Sequence, residues 1–399
     1  MRRVLVNDRV LVHPRTGVGQ YLAAVAANWP EHPSVHLVGF YNDRLLRRGL
    51  AKQCAEPPTT PESVPRIPLT PLAALRRPTA EPGGAMRRLA SATRVMRQSL
   101  YNSLLRTDAR IGSYDAHFEP NNIPTVRLEP TVTTLLDLSV LELPQFHPEE
   151  RVAFWRENFS EGVRRTAHWI CISEATAAAM RRVLGIPRSD VTVVPLASRW
   201  GSLSAEKRAA VAAAPVGLPS RYVVCVGTLE PRKNLLRLLD AYAAADEGFR
   251  RTTALVLAGP VGWGRPDFWD ALVGHRIADR VLVTGYLSEP QLAAVMIQAR
   301  ALVYPSLYEG FGLPPLEAMD LGVPTAVSDI PSLHEVCGSA GRFLNPEDTA
   351  AWTQAMTSLV EDGQVRDGRI ADGRRQAAAF SWTQTARAHH DLLLRFADR

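Results

Sequence analysis

The sequence predicts an α/β protein of two domains, each a parallel sheet wrapped by helices. Short β-branched runs alternate with helical segments along the whole 399-residue chain, the pattern of parallel strands buried on both faces. The runs form two series, one before about residue 197 and one after about residue 220. A chain of this length with 46% hydrophobic residues exceeds what one ordinary core holds.

The strand candidates of the first series are RRVLVND, SVHLVGF, TVTTLLD, HWICISE and VTVVPLA; those of the second are RYVVCVG, TALVLAG, RVLVTGY, ARALVYPS and TAVSD. Residues 198–219 between them are polar and alanine-rich with a Pro/Gly end, as expected of a linker. The expected organisation is therefore a first domain over 1–197, the linker, and a second domain over 220–380. Residues 56–84 carry eight prolines and predict a long surface loop. After it, Leu89, Val95, Met96, Leu100, Leu104 and Leu105 recur near helical spacing among six arginines in the segment 87–110. That segment reads as an ordinary amphipathic surface helix or as a basic face for an anionic lipid or acceptor.

Net charge is +6, with 46 basic residues interspersed among 40 acidic ones. An anionic ligand suits that balance; a dedicated nucleic-acid binder does not. Cys54, Cys171, Cys225 and Cys337 form no ligand-spaced cluster, which predicts reduced thiols in a cytoplasmic protein. The N-terminal apolar run is cut by Asn7 and Asp8, and no run approaches a membrane span.

Candidate chemistry lies at strand ends. After RRVLVND, Gly17 and Gly19 precede a helix pattern, and a strand, a Gly-x-Gly turn and a helix N-terminus make an anion site. A dinucleotide fingerprint needs a third glycine where the chain has Leu22, which disfavours a hydride-transfer cofactor although Asp43 stands at about the right distance. In the second series, Gly227 and Pro231 mark a turn bearing Arg232 and Lys233 at a strand's carboxyl end, where open α/β sheets place ligands; the pair suits a diphosphate clamp. After ARALVYPS, the stretch SLYEGFGLPPLEAM sets Glu309 and Glu317 eight residues apart around Gly310 and Gly312. The glycines let backbone N–H groups approach phosphate or sugar oxygens, and each carboxylate is able to accept two hydroxyl hydrogen bonds. Pro314 and Pro315 suit a first helical turn, with Glu317 expected in that same turn.

With VGTLEPRKN, LAGPVGWG, VTGYLSEPQL, YPSLYEGFGLPPLEAM and SDIPSLHEVCG, the second half resembles the retaining GT-B glycosyltransferases of glycosyltransferase family 4. GVGQYL, LLDLSVLELPQFHP and ISEATAAAMRRVLGIP extend the resemblance over nearly the whole chain. It implies two Rossmann-like domains facing a cleft, with the nucleotide sugar on the second, the acceptor on the first, and a final helix over 381–399 crossing back onto the first.

Residue by residue, the resemblance implies that Arg232 and Lys233 bind the donor diphosphate, Glu317 the ribose and Glu309 the transferred sugar. Backbone of Gly310, Phe311, Gly312 and Leu313 would hold sugar and phosphate oxygens, Gly17 and Gly19 would close on the diphosphate, and Tyr286 and Leu287 match the turn near the base. The family usually has His-Asp where this chain reads Leu136-Asp137; Asp137 stays a candidate to orient the acceptor or donor sugar. Asp320 and His334 also depart from the family pattern and read as packing variations.

No cofactor is expected. The expected ligands are a nucleotide sugar, first GDP-mannose by resemblance to bacterial mannosyl- and rhamnosyltransferases, and a glycan, lipid-linked or small-molecule acceptor, with peripheral membrane contact through the basic segment as one reading. The rivals are a nucleotide-sugar epimerase or a phosphorylase on the same scaffold, and a non-catalytic nucleotide-sugar-binding partner. The chain contains no Asp-x-Asp pair, so no metal is expected to hold the diphosphate.

Overall fold

A computed structural model describes residues 1–11, 17–31, 33–45, 50, 99–124, 126, 128–201, 203–263 and 266–398. The proline-rich stretch 56–84, residues 87–98 of the basic segment and Cys54 lie outside the described residues. The described strands form two six-stranded sheets, and every pairing within them is parallel.

The first sheet comprises β1 (Arg2–Val6), β2 (Val35–Gly39), β3 (Ala116–Glu119), β4 (Thr131–Leu135), β5 (His168–Cys171) and β6 (Val191–Val193), ordered β2-β1-β3-β4-β5-β6. The second comprises β7 (Tyr222–Val226), β8 (Ala254–Ala258), β9 (Val281–Gly285), β10 (Ala301–Tyr304), β11 (Thr325–Ser328) and β12 (Arg342–Leu344), ordered β12-β11-β10-β7-β8-β9. Each sheet reverses its strand order beside its first strand, and there crossover helices leave opposite faces and open a crevice at the carboxyl ends. The strands are buried because helices cover both faces: β4, β7 and β8 are buried at every residue.

Every strand expected from the β-branched runs is present, and two more were not foreseen. AHFE is β3, whose His117 and Glu119 are buried despite their polarity; RFL is β12, a three-residue edge strand. The stretch read as a linker is packed rather than extended. It carries a helix at Ala205–Ala212, N-capped by Ser204, and buries Trp200, Val211 and Val216 in the core.

The Trp382–Ala397 helix lies against β1, β2, β3 and the Gly17–Ala27 helix of the first sheet. Its His389 is fully buried, with Nδ1 2.7 Å from the Thr385 carbonyl oxygen and Nε2 2.5 Å from the Tyr21 hydroxyl. A carbonyl only accepts, so Nδ1 carries the proton and Nε2 accepts from Tyr21. Tyr21 in turn accepts from the Thr134 hydroxyl at 2.8 Å, so this chain of bonds ties the last helix to β4.

Candidate active site

The site is built where β7, β9 and β10 of the second sheet meet the loop after β4. β7 ends in Gly227, whose φ of +146° an L side chain rarely adopts; a Cβ there would stand 3.2 Å from Lys233 Cε. The bare backbone leaves room for the Lys233 stem to fold back over the strand end. Pro231–Lys233 form a single 3-10 turn, and the Leu307 N–H bonds the Arg232 carbonyl at 2.9 Å, joining this turn to the loop after β10.

That loop delivers Glu309 between the two cations. Lys233 Nζ donates to Glu309 Oε1 at 2.6 Å and to the Tyr304 hydroxyl at 2.7 Å. Arg232 Nη1 donates to Glu309 Oε2 at 3.1 Å and to the Tyr308 carbonyl at 2.6 Å, while Nη2 donates to Glu230 at 2.6 Å. Burial opposes ionisation of Glu309, but the Lys233 and Arg232 charges outweigh it and hold its carboxyl at about 2. Burial likewise opposes the Arg232 charge, and Glu309, Asp137 and Glu230 together raise its pKa. The two cations thus keep Glu309 ionised in a site almost closed to water.

Asp137 faces this cluster from the first domain, its Oδ1 accepting from Ser139 N at 3.0 Å and Ser139 Oγ at 2.8 Å. The other carboxylate, Glu317, is fully buried and held by Arg199, a residue of the supposed linker. Tyr286, 55% exposed, and Leu287 follow β9, and the Tyr286 and Glu289 side chains add to the field on Arg199. Arg199, Glu230 and Tyr304 were not foreseen: a single arginine in a polar stretch and a buried tyrosine in a strand give no sign of their partners.

Several placements differ from the sequence expectation. Gly17 and Gly19 do not precede the helix but lie in its first turn, since the Gly17–Ala27 helix already includes them, with Tyr21, Leu22 and Val25 on its buried face. Glu317 lies in the second turn of the Leu313–Asp320 helix, because Leu313 opens the helix and the two prolines occupy N2 and N3. At Gly310 the close approach is made by the first domain: a Cβ there would stand 1.9 Å from the Leu136 carbonyl oxygen. The Gly310 carbonyl accepts from Ser173 Oγ at 2.6 Å and Thr176 Oγ1 at 3.0 Å. Gly312, at φ +121°, caps the Leu313–Asp320 helix, and Phe311 packs edge-on against Phe380.

Asp320 proves more than packing, since it accepts from Ser198 Oγ at 2.6 Å and pairs with Arg208 at 2.8 Å. His334 stacks on Phe343 with ring centres 3.8 Å apart.

Two further contacts join the domains. The Glu335 carboxylate accepts from Glu174 N at 2.7 Å and Ala175 N at 2.6 Å, capping the Glu174–Leu184 helix from the opposite domain. Trp263 Nε1 donates to the Phe146 carbonyl at 2.7 Å. On the first domain a cavity of about 650 Å³ opens among Asn7, Glu119, Asn121, Asn122, Arg151 and Asn158. Among the described residues no cluster of three or more His, Cys, Asp or Glu side chains could hold a metal ion, and no helix is long and apolar enough to cross a membrane.

Comparison with known proteins fits this geometry. Residues 220–362 match the family model described as glycosyl transferases group 1. The O-antigen chain mannosyltransferase B of Escherichia coli is 33% identical over 279 residues, 68% of this chain and 72% of that protein. Among solved structures, WaaG, a glycosyltransferase involved in lipopolysaccharide biosynthesis, superposes with a TM-score of 0.66 at 12% identity, over 98% of this chain and 99% of its own. Anabaena HepE in complex with UDP and glucose gives 0.64 at 16% identity, over 99% and 100%. At those identities the two structures show the GT-B fold.

Proposed function

Because the chain belongs to the group 1 glycosyl transferases, we propose that it moves a hexose from a nucleoside diphosphate donor to an acceptor hydroxyl with retention of anomeric configuration. GDP-mannose is the donor and a glycan hydroxyl the acceptor in this reading. The observation that carries it is the Arg232–Glu309–Lys233 cluster at the carboxyl ends of β7 and β10, facing Asp137 of the first domain. Mannose is supported by the relative that is an O-antigen chain mannosyltransferase.

In the unliganded chain Glu309 occupies both cations. An arriving diphosphate brings charge of the same sign and competes for Arg232 and Lys233, which loosens Glu309 toward the sugar hydroxyls. As the glycosidic C–O bond breaks, negative charge grows on the leaving diphosphate and positive charge on the sugar ring. Lys233 and Arg232 stabilise the first and Glu309 the second. The acceptor oxygen forms its bond to the anomeric carbon on the face the diphosphate leaves, and its proton passes to the donor phosphate oxygen. No side chain is required as a nucleophile. The polar cavity on the first domain, with its asparagines and Arg151, suits acceptor hydroxyls.

A thermal-shift screen of nucleotide sugars, followed by NMR of the product's anomeric configuration, tests the reading. GDP-mannose should raise the melting temperature by mass action and yield an α-linked product. A β-linked product would overturn retention. Isomerised nucleotide sugar without transfer would favour an epimerase.

A further inference from the structure

A second cavity, of about 470 Å³, opens on the second domain beyond the carboxyl ends of β7 and β8. Its volume falls within the roughly 300–1,000 Å³ of small-molecule sites. Trp263, Phe268 and Trp269 supply aromatic walls from that domain, and Phe146 closes it from the first. Glu230, Asn234 and Asp267 share the lining. Asn234 donates from Nδ2 to the Pro346 carbonyl at 2.7 Å, which leaves its Oδ1 to accept. Asp267 is exposed and has no hydrogen-bond or ion-pair partner among the described residues.

These walls match a sugar ring. A pyranose has a C–H face, which the negative face of an aromatic ring attracts, and a rim of hydroxyls, each with a proton to give. All three polar side chains offer acceptors, two carboxylates and an amide oxygen. Asp267, with no cation paired to it, also repels phosphate, so a nucleotide or a sugar phosphate fits the cavity poorly.

Position says which sugar. Arg151 lines the cavity of the first domain, and its guanidinium stands over the Trp263 ring, 5.9 Å from the ring centre. Trp263 Nε1 is in turn bonded to the Phe146 carbonyl, so the two cavities flank one contact between the domains. The first cavity also includes Asn122, whose Oδ1 accepts from Leu136 N at 2.8 Å, one residue before Asp137. A run of sugars laid from Asn122 past Arg151 thus has its reacting end beside Asp137 and its far end at Trp263.

We propose that the aromatic cavity is a second acceptor subsite, taking the residues of a glycan acceptor that lie beyond the one receiving the new bond. The inference rests on the reading of the first-domain cavity as the acceptor site. The acceptor is then an oligosaccharide lying across both domains, and the second domain holds acceptor as well as donor. Binding energy from the remote residues holds the reacting hydroxyl in place, so it raises turnover on long acceptors.

Transfer from GDP-mannose to mannose, mannobiose and mannotriose tests this on the parent, Trp269→Ala, Trp269→Phe and Asp267→Ala. The parent should show a higher kcat/KM for mannotriose than for mannose. Trp269→Ala should cut that preference about two- to tenfold, the worth of one aromatic contact, and Trp269→Phe should restore part of it. Asp267→Ala, at a side chain that bonds nothing in the fold, should cut it too. An equal preference in parent and variants would overturn the subsite and leave the transfer reading intact. Weaker binding of GDP by Trp269→Ala, read by calorimetry, would put the nucleotide in the cavity instead. A parent that transfers to none of the three would overturn the transfer reading and the subsite together.

Discussion

Arg199 grips both oxygens of Glu317, Nε to Oε1 at 2.6 Å and Nη2 to Oε2 at 2.9 Å, with the Glu317 side chain 1% exposed. The two residues are 118 positions apart, so this pair ties the chain segment between the domains to the Leu313–Asp320 helix of the second domain. A carboxylate gripped from one side still has lone pairs for ribose hydroxyls, but its charge is balanced by the protein before any ligand arrives.

Removing one partner of a buried pair leaves the other charge uncompensated. Arg199→Ala should lower stability by ~3 kcal/mol, the lower end of the usual range because the Arg199 side chain is 20% exposed. Glu317→Ala should both destabilise the chain and weaken nucleotide binding, so its binding must be measured well below its melting temperature. Replacing both residues with apolar ones of similar size should restore most of the stability and none of the binding. Urea unfolding of the four proteins reads this cycle; single variants as stable as the parent would sink it.

Stability should fall in acid from two kinds of group with opposite signs of charge. Burial depresses His389 from 6.5 to about 4, the Thr385 carbonyl bond opposing it, and depresses His117 to about 3. The unfolded chain takes up these protons first, so the contribution is complete above pH 6.5 and erodes as pH falls toward 4, by ~3 kcal/mol for His389. Glu309, held at about 2 against an ordinary 4.5, contributes fully above pH 4.5 and loses that contribution as pH falls through 2. Chemical denaturation at a series of pH values checks the windows. His389→Gln should flatten the slope between pH 6.5 and 4, and an unchanged slope would mean that the buried histidine does not titrate there.

The strand-end position of Arg232, Lys233 and Glu309 was legible because β7 and β10 announce themselves: YVVCV and ALVY are apolar throughout, so the residues after them had to lie at the sheet's carboxyl edge. β3 was not legible because the polar side chains of AHFE meet partners far along the chain. Asn7 Nδ2 donates to Glu119 at 2.9 Å, and His117 meets the Thr131 hydroxyl at 3.3 Å. Neither partner is local, so no periodicity records them. Arg199 failed to show for the same reason: SRWG carries no sign of a carboxylate 118 positions away. At Gly310 sequence shows only that a side chain is missing, which allows a close backbone approach, and not that the Leu136 carbonyl is what approaches.

Gly310→Ala should force the domains apart. Its methyl would stand 1.9 Å from the Leu136 carbonyl oxygen and 2.9 Å from Asp137 Cβ, so the first domain must withdraw and loosen the bonds from Ser173 and Thr176. Small-angle scattering should report a larger radius of gyration, and turnover should fall because Asp137 retreats from the Arg232 cluster. A scattering profile matching the parent's would show that the contact yields locally instead.

The final prediction concerns charge on the leaving diphosphate. An enzyme that holds it with a metal needs carboxylates to bind that metal, commonly an Asp-x-Asp pair, and this chain has none. It places Lys233 and Arg232 at the strand ends instead, and Lys233 spends two of its three N–H groups on Tyr304 and Glu309, leaving one for a phosphate oxygen. Fixed cations in a nearly dry site stabilise developing charge without reorganising. Transfer should therefore proceed at an undiminished rate in excess EDTA and gain little from added magnesium or manganese. Lys233→Ala should lower the rate roughly a hundred- to a thousand-fold, by analogy with loss of an oxyanion-hole donor. The variant also leaves Glu309 with Arg232 alone, so Lys233→Ala/Glu309→Gln serves as the control for lost charge balance. If EDTA abolishes transfer and metal restores it, the diphosphate is held by a metal and the role given to the two cations is wrong.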